Sequence, residues 1–245
     1  MLLKLVLWLI HHCRTSQGRI LRFSNFMLWP DLHANAHGKI HKWCLVELIL
    51  LCMSSSKSFF EDQTFKDLDF SKHAFSKGEY EHCKFLNCSF TKTDLHQISF
   101  TDCDFDNCDL SLANLSQTAF KTVNFRDCKL LGLHFDHCNT FLLALDFENC
   151  KLNLSSFYQL KLKKTQFKNC ALNEVDFTEA DLKEAKFDDC DLLDAKFENS
   201  NLEKADFRNA FNYSFNPDLN KIKKAKFALQ GVAGLLQHHQ IIIEN

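Results

Sequence analysis

The chain has 245 residues, with 29 lysines and arginines against 31 aspartates and glutamates, and a formal net charge of -2. This near-neutral balance excludes a strongly basic nucleic-acid binder, and six glycines with two prolines exclude a collagen-like or linker-like chain. The scarcity of glycine also argues against the loop-rich enzyme folds, whose tight turns depend on it, while the length permits one or two domains.

Residues 1–52 form a leader that shares no pattern with the rest of the chain. The leader holds six basic and two acidic residues and all three tryptophans. Its apolar runs, residues 2–10 and 43–52, are shorter than the about 20 residues that a membrane-spanning helix needs. No small-x-small cleavage site follows the first run. We therefore expect Met53 to be the true start and residues 1–52 to be an over-extended reading frame, with a weak signal-like segment or membrane-surface anchor as the alternative.

Residues 53–214 contain a five-residue repeat. From Phe60 to Phe135, and again from Leu142 to Phe207, every fifth residue is Phe, Tyr or Leu, which gives 30 pentads. The phase slips by two residues somewhere in 136–146. Most of these centres follow, by two positions, a small residue such as Cys, Ala, Ser or Thr. Because side chains two apart on an extended chain point to the same side, each pentad turns one large and one small residue inward, and the repeat predicts short extended segments with a corner every five residues.

A second spacing, of 20 residues, indicates four sides per coil. Cysteines recur at this spacing, as in Cys88, Cys108 and Cys128, and each follows Asn or Asp. Stacking such coils would place equivalent residues in ladders, about 4.8 Å apart. In the second block Leu and Phe centres alternate, which predicts Phe on two opposite sides and Leu on the other two.

The pentads resemble those of a known family. Segments such as Ala180-Asp181-Leu182-Lys183-Glu184 are similar to the repeats of the pentapeptide repeat family, and the resemblance covers roughly residues 58–212. It implies an all-β fold, a right-handed quadrilateral parallel β-helix with a C-terminal α-helical cap. Four pentads per coil give about 7.5 coils, each contributing about 4.8 Å of length.

Residues 215–245 depart from the repeat. Asn216, Pro217 and Asp218 are typical of a helix start and predict a helix over 218–227. The tail resembles the C-terminal element of the Qnr-type, quinolone-resistance branch of the family, which caps the β-helix and forms a dimer. The resemblance implies a homodimer, and a cap on a monomer is the alternative. The candidate dimer contacts are Leu235, Leu236, Ile241, Ile242 and Ile243.

The sequence predicts no catalytic residue, no metal ligand and no cofactor. Most of the 12 cysteines are at small inward positions, where Cys acts as an apolar filler, and we expect reduced thiols in a cytoplasmic protein. No CxxC pair or catalytic motif occurs, so zinc and enzymatic activity are not expected.

The acidic residues suggest a binding function. One candidate surface combines Glu174, Asp191 and Asp194, and a smaller one combines Asp102, Asp104 and Asp106 with Asp109. The Qnr-type resemblance implies a DNA mimic that binds DNA gyrase or topoisomerase IV and modulates quinolone sensitivity, without binding nucleic acid itself. Well-studied members of that branch contact gyrase through long loops, and this chain has only the two-residue slip near 139–143, which argues against strong drug protection. The alternatives are a scaffolding module with an unrelated protein partner, and charges that simply keep a repeat rod soluble.

Overall fold

The computed structural model describes residues 58–242. The leader of residues 1–52, the expected start at Met53 and the candidate contact Ile243 lie outside the described residues. None of the helices in this range is long and apolar enough to cross a membrane.

The described residues form a right-handed quadrilateral parallel β-helix of about eight turns, which confirms the predicted fold. One parallel sheet contains β1, β3, β5 and β7, and the other runs in the order β13-β12-β11-β10-β9-β8-β6-β4-β2. The strands are β1 Ser58–Glu61, β2 Thr64–Lys66, β3 Gly78–Glu81, β4 Lys84–Leu86, β5 Ser99–Thr101, β6 Asp104–Asp106, β7 Ala119–Lys121, β8 Val123–Arg126, β9 Leu145–Glu148, β10 Gln166–Lys168, β11 Lys186–Asp188, β12 Asp206–Phe207 and β13 Lys226–Phe227.

Strand pairing confirms the 20-residue coil. Phe65 pairs with Phe85, and Phe85 pairs with Phe105 in the next layer. The coil therefore has four faces, which we name A to D in chain order. In the C-terminal half the inward centres are Leu162, Leu182 and Leu202 on face A, Phe167, Phe187 and Phe207 on face B, Leu172 and Leu192 on face C, and Phe177 and Phe197 on face D.

The core of the C-terminal half is built from two aromatic columns, on faces B and D as predicted. Within a column the rings stack, with 5.2 Å between the centroids of Phe147 and Phe167. Between the columns they meet edge to face, with 6.0 Å and 82° between Phe157 and Phe167. Both are favoured aromatic geometries, and each fully buried Phe adds roughly 1.5–3 kcal/mol of transfer free energy.

The corners of the coil explain why Asn and Asp recur at 20-residue intervals. Two residues after most centres the backbone is left-handed, as at Asn87 (φ 53°) and Asn107 (φ 51°). This conformation costs most residues about 1–2 kcal/mol, and Asn and Asp tolerate it better. The side chains then form a ladder in which Asn107 Nδ2 donates to Asn87 Oδ1 at 2.9 Å and Asn87 Nδ2 donates to Asp67 Oδ1 at 2.8 Å.

The two-residue slip is absorbed between Asn139 and Leu145. Asn139 still pairs with Ala119, 20 residues earlier, whereas Leu145 pairs with Val123, 22 residues earlier. The prediction that Leu142 is an inward centre is wrong, because its side chain is 65% exposed. The extra residues bulge outward because the neighbouring coil fixes the chain on both sides of them.

At the slip the second aromatic column changes face. On face A the rings of Phe100 and Phe120 stack at 5.5 Å, and no aromatic centre follows on that face within the described residues. On face D the column resumes with Phe135 and Phe157, 4.7 Å apart. The core thus remains filled although the large side chains move from adjacent to opposite faces.

The nine described cysteines are buried and form no disulfide. They occupy the small inward positions, as the sequence predicts, and their thiols donate to nearby carbonyls, as from Cys170 Sγ to the Lys168 oxygen at 3.3 Å. Burial raises the pKa of the Cys103 thiol to about 12, so at neutral pH it is protonated.

The predicted helix over 218–227 is wrong. Asn216 does accept a hydrogen bond from the Asp218 N–H at 2.9 Å, but the helix it begins is a 3-10 helix of three residues, Pro217–Leu219. The chain then returns to the coil, and Phe227 in β13 pairs with Phe207. A ten-residue helix is marginal alone, whereas pairing on the preceding coil adds backbone hydrogen bonds such as Lys221 N–H to the Ser200 oxygen at 3.0 Å.

The cap begins after β13. A 3-10 helix, Leu229–Gly231, leads into α1, Val232–Leu236, and a further 3-10 helix, Gln237–His239, follows. Leu235 is buried in the hydrophobic core together with Tyr213 and Phe215. A short C-terminal helix therefore covers the last coil, as the resemblance implies.

Candidate partner-binding surface

The structure brings Glu174, Asp191 and Asp194 together on face C. Glu174 and Asp194 are exposed corner residues at equivalent positions of successive coils, joined by a hydrogen bond from the Glu174 N–H to the Leu193 oxygen at 2.8 Å. Asp191 is half-buried, and its carboxylate accepts hydrogen bonds from Asn173 at 3.1 Å and Asn212 at 2.8 Å. Glu174 and Asp194 are thus available to a partner, while Asp191 also has a role in the fold.

Face D extends this acidic region. Its outward residues in the same two coils include Asp176, Glu179 and Glu198, next to a single cation, Lys196. We call these three acids together with Glu174, Asp191 and Asp194 the acidic surface. None of its six carboxylates forms an ion pair with another residue in 58–242.

Face A, opposite face C, has the reverse charge. Its acids are paired, with Lys163 at 3.1 Å from Asp181 and Lys204 at 3.1 Å from Glu184. The hydrogen bond from Lys204 holds the pKa of Glu184 below its usual range. The charge of the rod is therefore separated across its width. The lysines of face A are Lys161, Lys163, Lys164, Lys183, Lys204, Lys221, Lys223 and Lys224.

The smaller candidate surface is not a continuous acidic patch. Arg126 in β8 reaches across from the next coil and lies 3.4 Å from both Asp104 and Asp106. Asp104 also accepts a hydrogen bond from Asn124 at 3.0 Å. Asp102 is an exposed corner residue beyond these pairs. The expectation of an acidic site here fails because Arg126, 20 residues after Asp106, stacks onto it.

The tail residues divide into buried and exposed ones. Leu235 is buried in the cap of its own chain, so it is not available as a dimer contact, and Leu236 is half-buried. Ile241 and Ile242 are 53% and 88% exposed. The surface for self-association is thus smaller than the sequence suggested.

The sequence analysis missed two features of the surface. The first is a His-x-Asp-His segment, in which His134, Asp136 and His137 place one ligand atom each within 4.8 Å of one another. The second is apolar, where Leu112 and Leu154 are exposed corner residues on face C at 57% and 60%. The signals were present as a His-x-Asp-His spacing and as leucine in place of the polar corner residue.

Comparison with known proteins places this geometry in context. A family profile described as a pentapeptide repeat region matches residues 75–145, 98–175 and 142–212, more than half of the chain. No curated protein matches the sequence. Among solved structures, trypsin-treated QnrB1, a plasmid-mediated fluoroquinolone resistance protein, is similar over 76% of this chain and 100% of its own, with 15% identity and a TM-score of 0.49. HetL, a pentapeptide repeat protein involved in heterocyst differentiation regulation from the cyanobacterium Nostoc sp. strain PCC 7120, is similar over 76% of this chain and 94% of its own, with 14% identity and a TM-score of 0.44.

Proposed function

The chain belongs to the pentapeptide repeat family, and from this premise we propose that it is a non-enzymatic binding protein whose acidic surface mimics DNA on a type II topoisomerase such as gyrase. Pentapeptide repeat proteins are generally structural or binding proteins. By competing with DNA, or by displacing a bound quinolone, the protein would modulate quinolone sensitivity in the cytoplasm.

The charge density of the acidic surface carries this proposal. Over two coils it holds six carboxylates and one lysine. With a rise of about 4.8 Å per coil, this is about one net negative charge per 2 Å of rod, against about one per 1.7 Å of duplex DNA. A groove built to bind the phosphates of DNA would therefore meet a similar field here. Complementary charge would raise the association rate more than the affinity.

The test is DNA supercoiling by purified gyrase in the presence of a fluoroquinolone, with the protein titrated in. We expect the protein to change the activity, and Asp194→Lys to weaken that effect. Asp189→Lys is the matched control, since Asp189 is an exposed left-handed corner residue of the same coil, on face B. Lysine already occupies such corners at Lys164 and Lys204, so both variants are compatible with the fold. An effect that Asp194→Lys and Asp189→Lys reduce equally would contradict a localised acidic site.

A second candidate function is a scaffold for an unrelated protein partner. The exposed leucines Leu112 and Leu154 lie on face C below Glu174 and Asp194, so that one face joins an apolar part to an acidic part. Exposed apolar patches of this kind mark protein interaction sites. If the protein leaves gyrase unaffected at high concentration, and Leu154→Ser but not Asp189→Lys abolishes capture of a partner, this second function is the correct one.

The tail supports a further part of the proposal, self-association. We propose that Ile241 and Ile242, both exposed next to the cap, contact the same residues of a second copy. Burying them in a two-fold interface removes apolar surface from water, which favours association.

A further inference from the structure

The segment His134–Cys138 forms a corner unlike the preceding ones. At Asp127 and Gly132 the corner residue is left-handed. After Phe135 the chain instead forms a 3-10 helix, Phe135–His137, closed by a hydrogen bond from the Cys138 N–H to the Phe135 oxygen at 3.0 Å. In a 3-10 helix side chains three residues apart eclipse one another. The imidazoles of His134 and His137 accordingly stack on one side, with their centroids 4.9 Å apart and their planes at 12°.

Asp136 lies between the two imidazoles. Its Oδ1 is 3.3 Å from His134 Nδ1, and its Oδ2 is 3.5 Å from His137 Nε2. The carboxylate is mostly buried, at 16% exposure, and Oδ1 is inaccessible and accepts no hydrogen bond. A buried acceptor without a donor is unfavourable, so the apo arrangement leaves this oxygen in need of a positive partner.

The neighbouring coils supply no cation to meet that need. The residues at the equivalent positions of the coils on either side are uncharged, namely Asn114, Ser116, Gln117, Ser156, Tyr158 and Gln159. The amide of Gln159 is engaged with Tyr158 at 3.0 Å and with Glu179 at 2.7 Å. The ligand atoms of His134, Asp136 and His137 therefore face no competing ammonium or guanidinium from these six positions.

From this geometry we propose that His134, Asp136 and His137 bind a Zn²⁺ ion. Ligand atoms at roughly 2.0–2.2 Å from a tetrahedral Zn²⁺ lie about 3.3–3.6 Å from one another. The two measured nitrogen–oxygen distances fall in that range. Imidazole nitrogens and a carboxylate oxygen are ligands that Zn²⁺ accepts, and three protein ligands leave a fourth position for water or for a side chain of a partner.

The second cluster of possible ligands does not share these properties. Asp218, His238 and His239 also lie within 4.8 Å of one another, but all three are exposed and none has a buried oxygen without a donor. This cluster therefore provides the control for the first.

The experiment is a titration of the full-length reduced protein with Zn²⁺, in competition with a chromophoric chelator. We expect one Zn²⁺ per chain to depend on the site. His137→Ala and Asp136→Asn should each weaken binding by at least the roughly tenfold to hundredfold that loss of even an outer partner costs a zinc site. The double variant His238→Ala/His239→Ala should bind as the parent does.

Cobalt substitution distinguishes this site from the cysteines. Co²⁺ bound by two imidazoles and a carboxylate should show visible ligand-field bands without a thiolate charge-transfer band. The thermal unfolding of each apo variant checks the fold, and Asp136→Asn keeps the side-chain shape. The proposal is overturned by an absence of saturable binding, by unchanged affinity in His137→Ala and Asp136→Asn, or by a thiolate band.

Discussion

Gly234 in α1 packs directly against the backbone carbonyl of Tyr213, so closely that a Cβ at position 234 would overlap the carbonyl oxygen. A backbone atom cannot move aside as a flexible side chain can. We therefore expect Gly234→Ala to displace α1 and expose Leu235, with a loss of about 1–3 kcal/mol, as for overpacked cores. Urea unfolding measures the loss. Ala233→Ser, at an exposed neighbouring position, is the control and should leave the stability nearly unchanged.

Tyr213→Phe should have the opposite sign. The hydroxyl of Tyr213 is buried and makes no hydrogen bond, and burial raises the pKa of this tyrosine. An unpaired buried hydroxyl costs roughly 1–3 kcal/mol, so Tyr213→Phe should stabilise the protein by up to about 1 kcal/mol. The change appears as a higher urea midpoint with the same slope. A lower midpoint would show that the hydroxyl is paired in solution.

A left-handed corner predicts a second stabilising change. Thr122 is an exposed corner residue with φ 56°, a conformation that is rare for a β-branched side chain and better tolerated by Asn. Thr122→Asn should therefore raise the free energy of unfolding by about 0.5–1 kcal/mol. Thr178→Asn is the matched control, since Thr178 is not left-handed. Equal effects of the two substitutions would contradict the conformational explanation.

Much of this fold could be predicted from the sequence because the repeat is local and uniform. The inward position of Phe187 follows from a count of five, and its partner Phe167 from a count of 20. The count gives no information where the chain leaves the period, and so it placed Leu142 inside and a helix over 218–227.

The surface was harder to predict, for a different reason. The 20-residue coil would have placed Arg126 over Asp106, because this pair depends only on the period. The His134 and His137 pair depends instead on a local change from a left-handed corner to a 3-10 turn, which neither residue type indicates. Likewise, only packing on Tyr213 shows that Leu235 faces inward.

The Asp206–Arg208 pair predicts a measurable pH dependence. Arg208 donates two hydrogen bonds to the Asp206 carboxylate, at 2.9 Å and 2.8 Å, and holds the pKa of Asp206 below its usual value of 3.8. A folded pKa below the unfolded one stabilises the protein above the unfolded value, and this contribution is lost as the pH falls through the folded value. Arg208→Gln should raise the pKa of Asp206, measured by NMR titration of the side-chain carbon. The pKa of Glu148, which Lys168 lowers, should not change, and a shift of both would indicate a general rather than a paired effect.

Self-association through the tail gives the last prediction. Ile241 and Ile242 are exposed and carry no charge, so an aspartate at either position would place an unpaired carboxylate inside a two-fold contact. Ile241→Asp/Ile242→Asp should therefore shift the protein from dimer to monomer in sedimentation equilibrium while its thermal unfolding at low concentration stays the same. Leu229→Asp is the matched control, because Leu229 is 86% exposed and precedes the cap. A parent protein that sediments as a monomer at all concentrations, or a dimer that survives the double substitution, would contradict the tail contact. Loss of the dimer in Leu229→Asp alone would move the contact to the start of the cap.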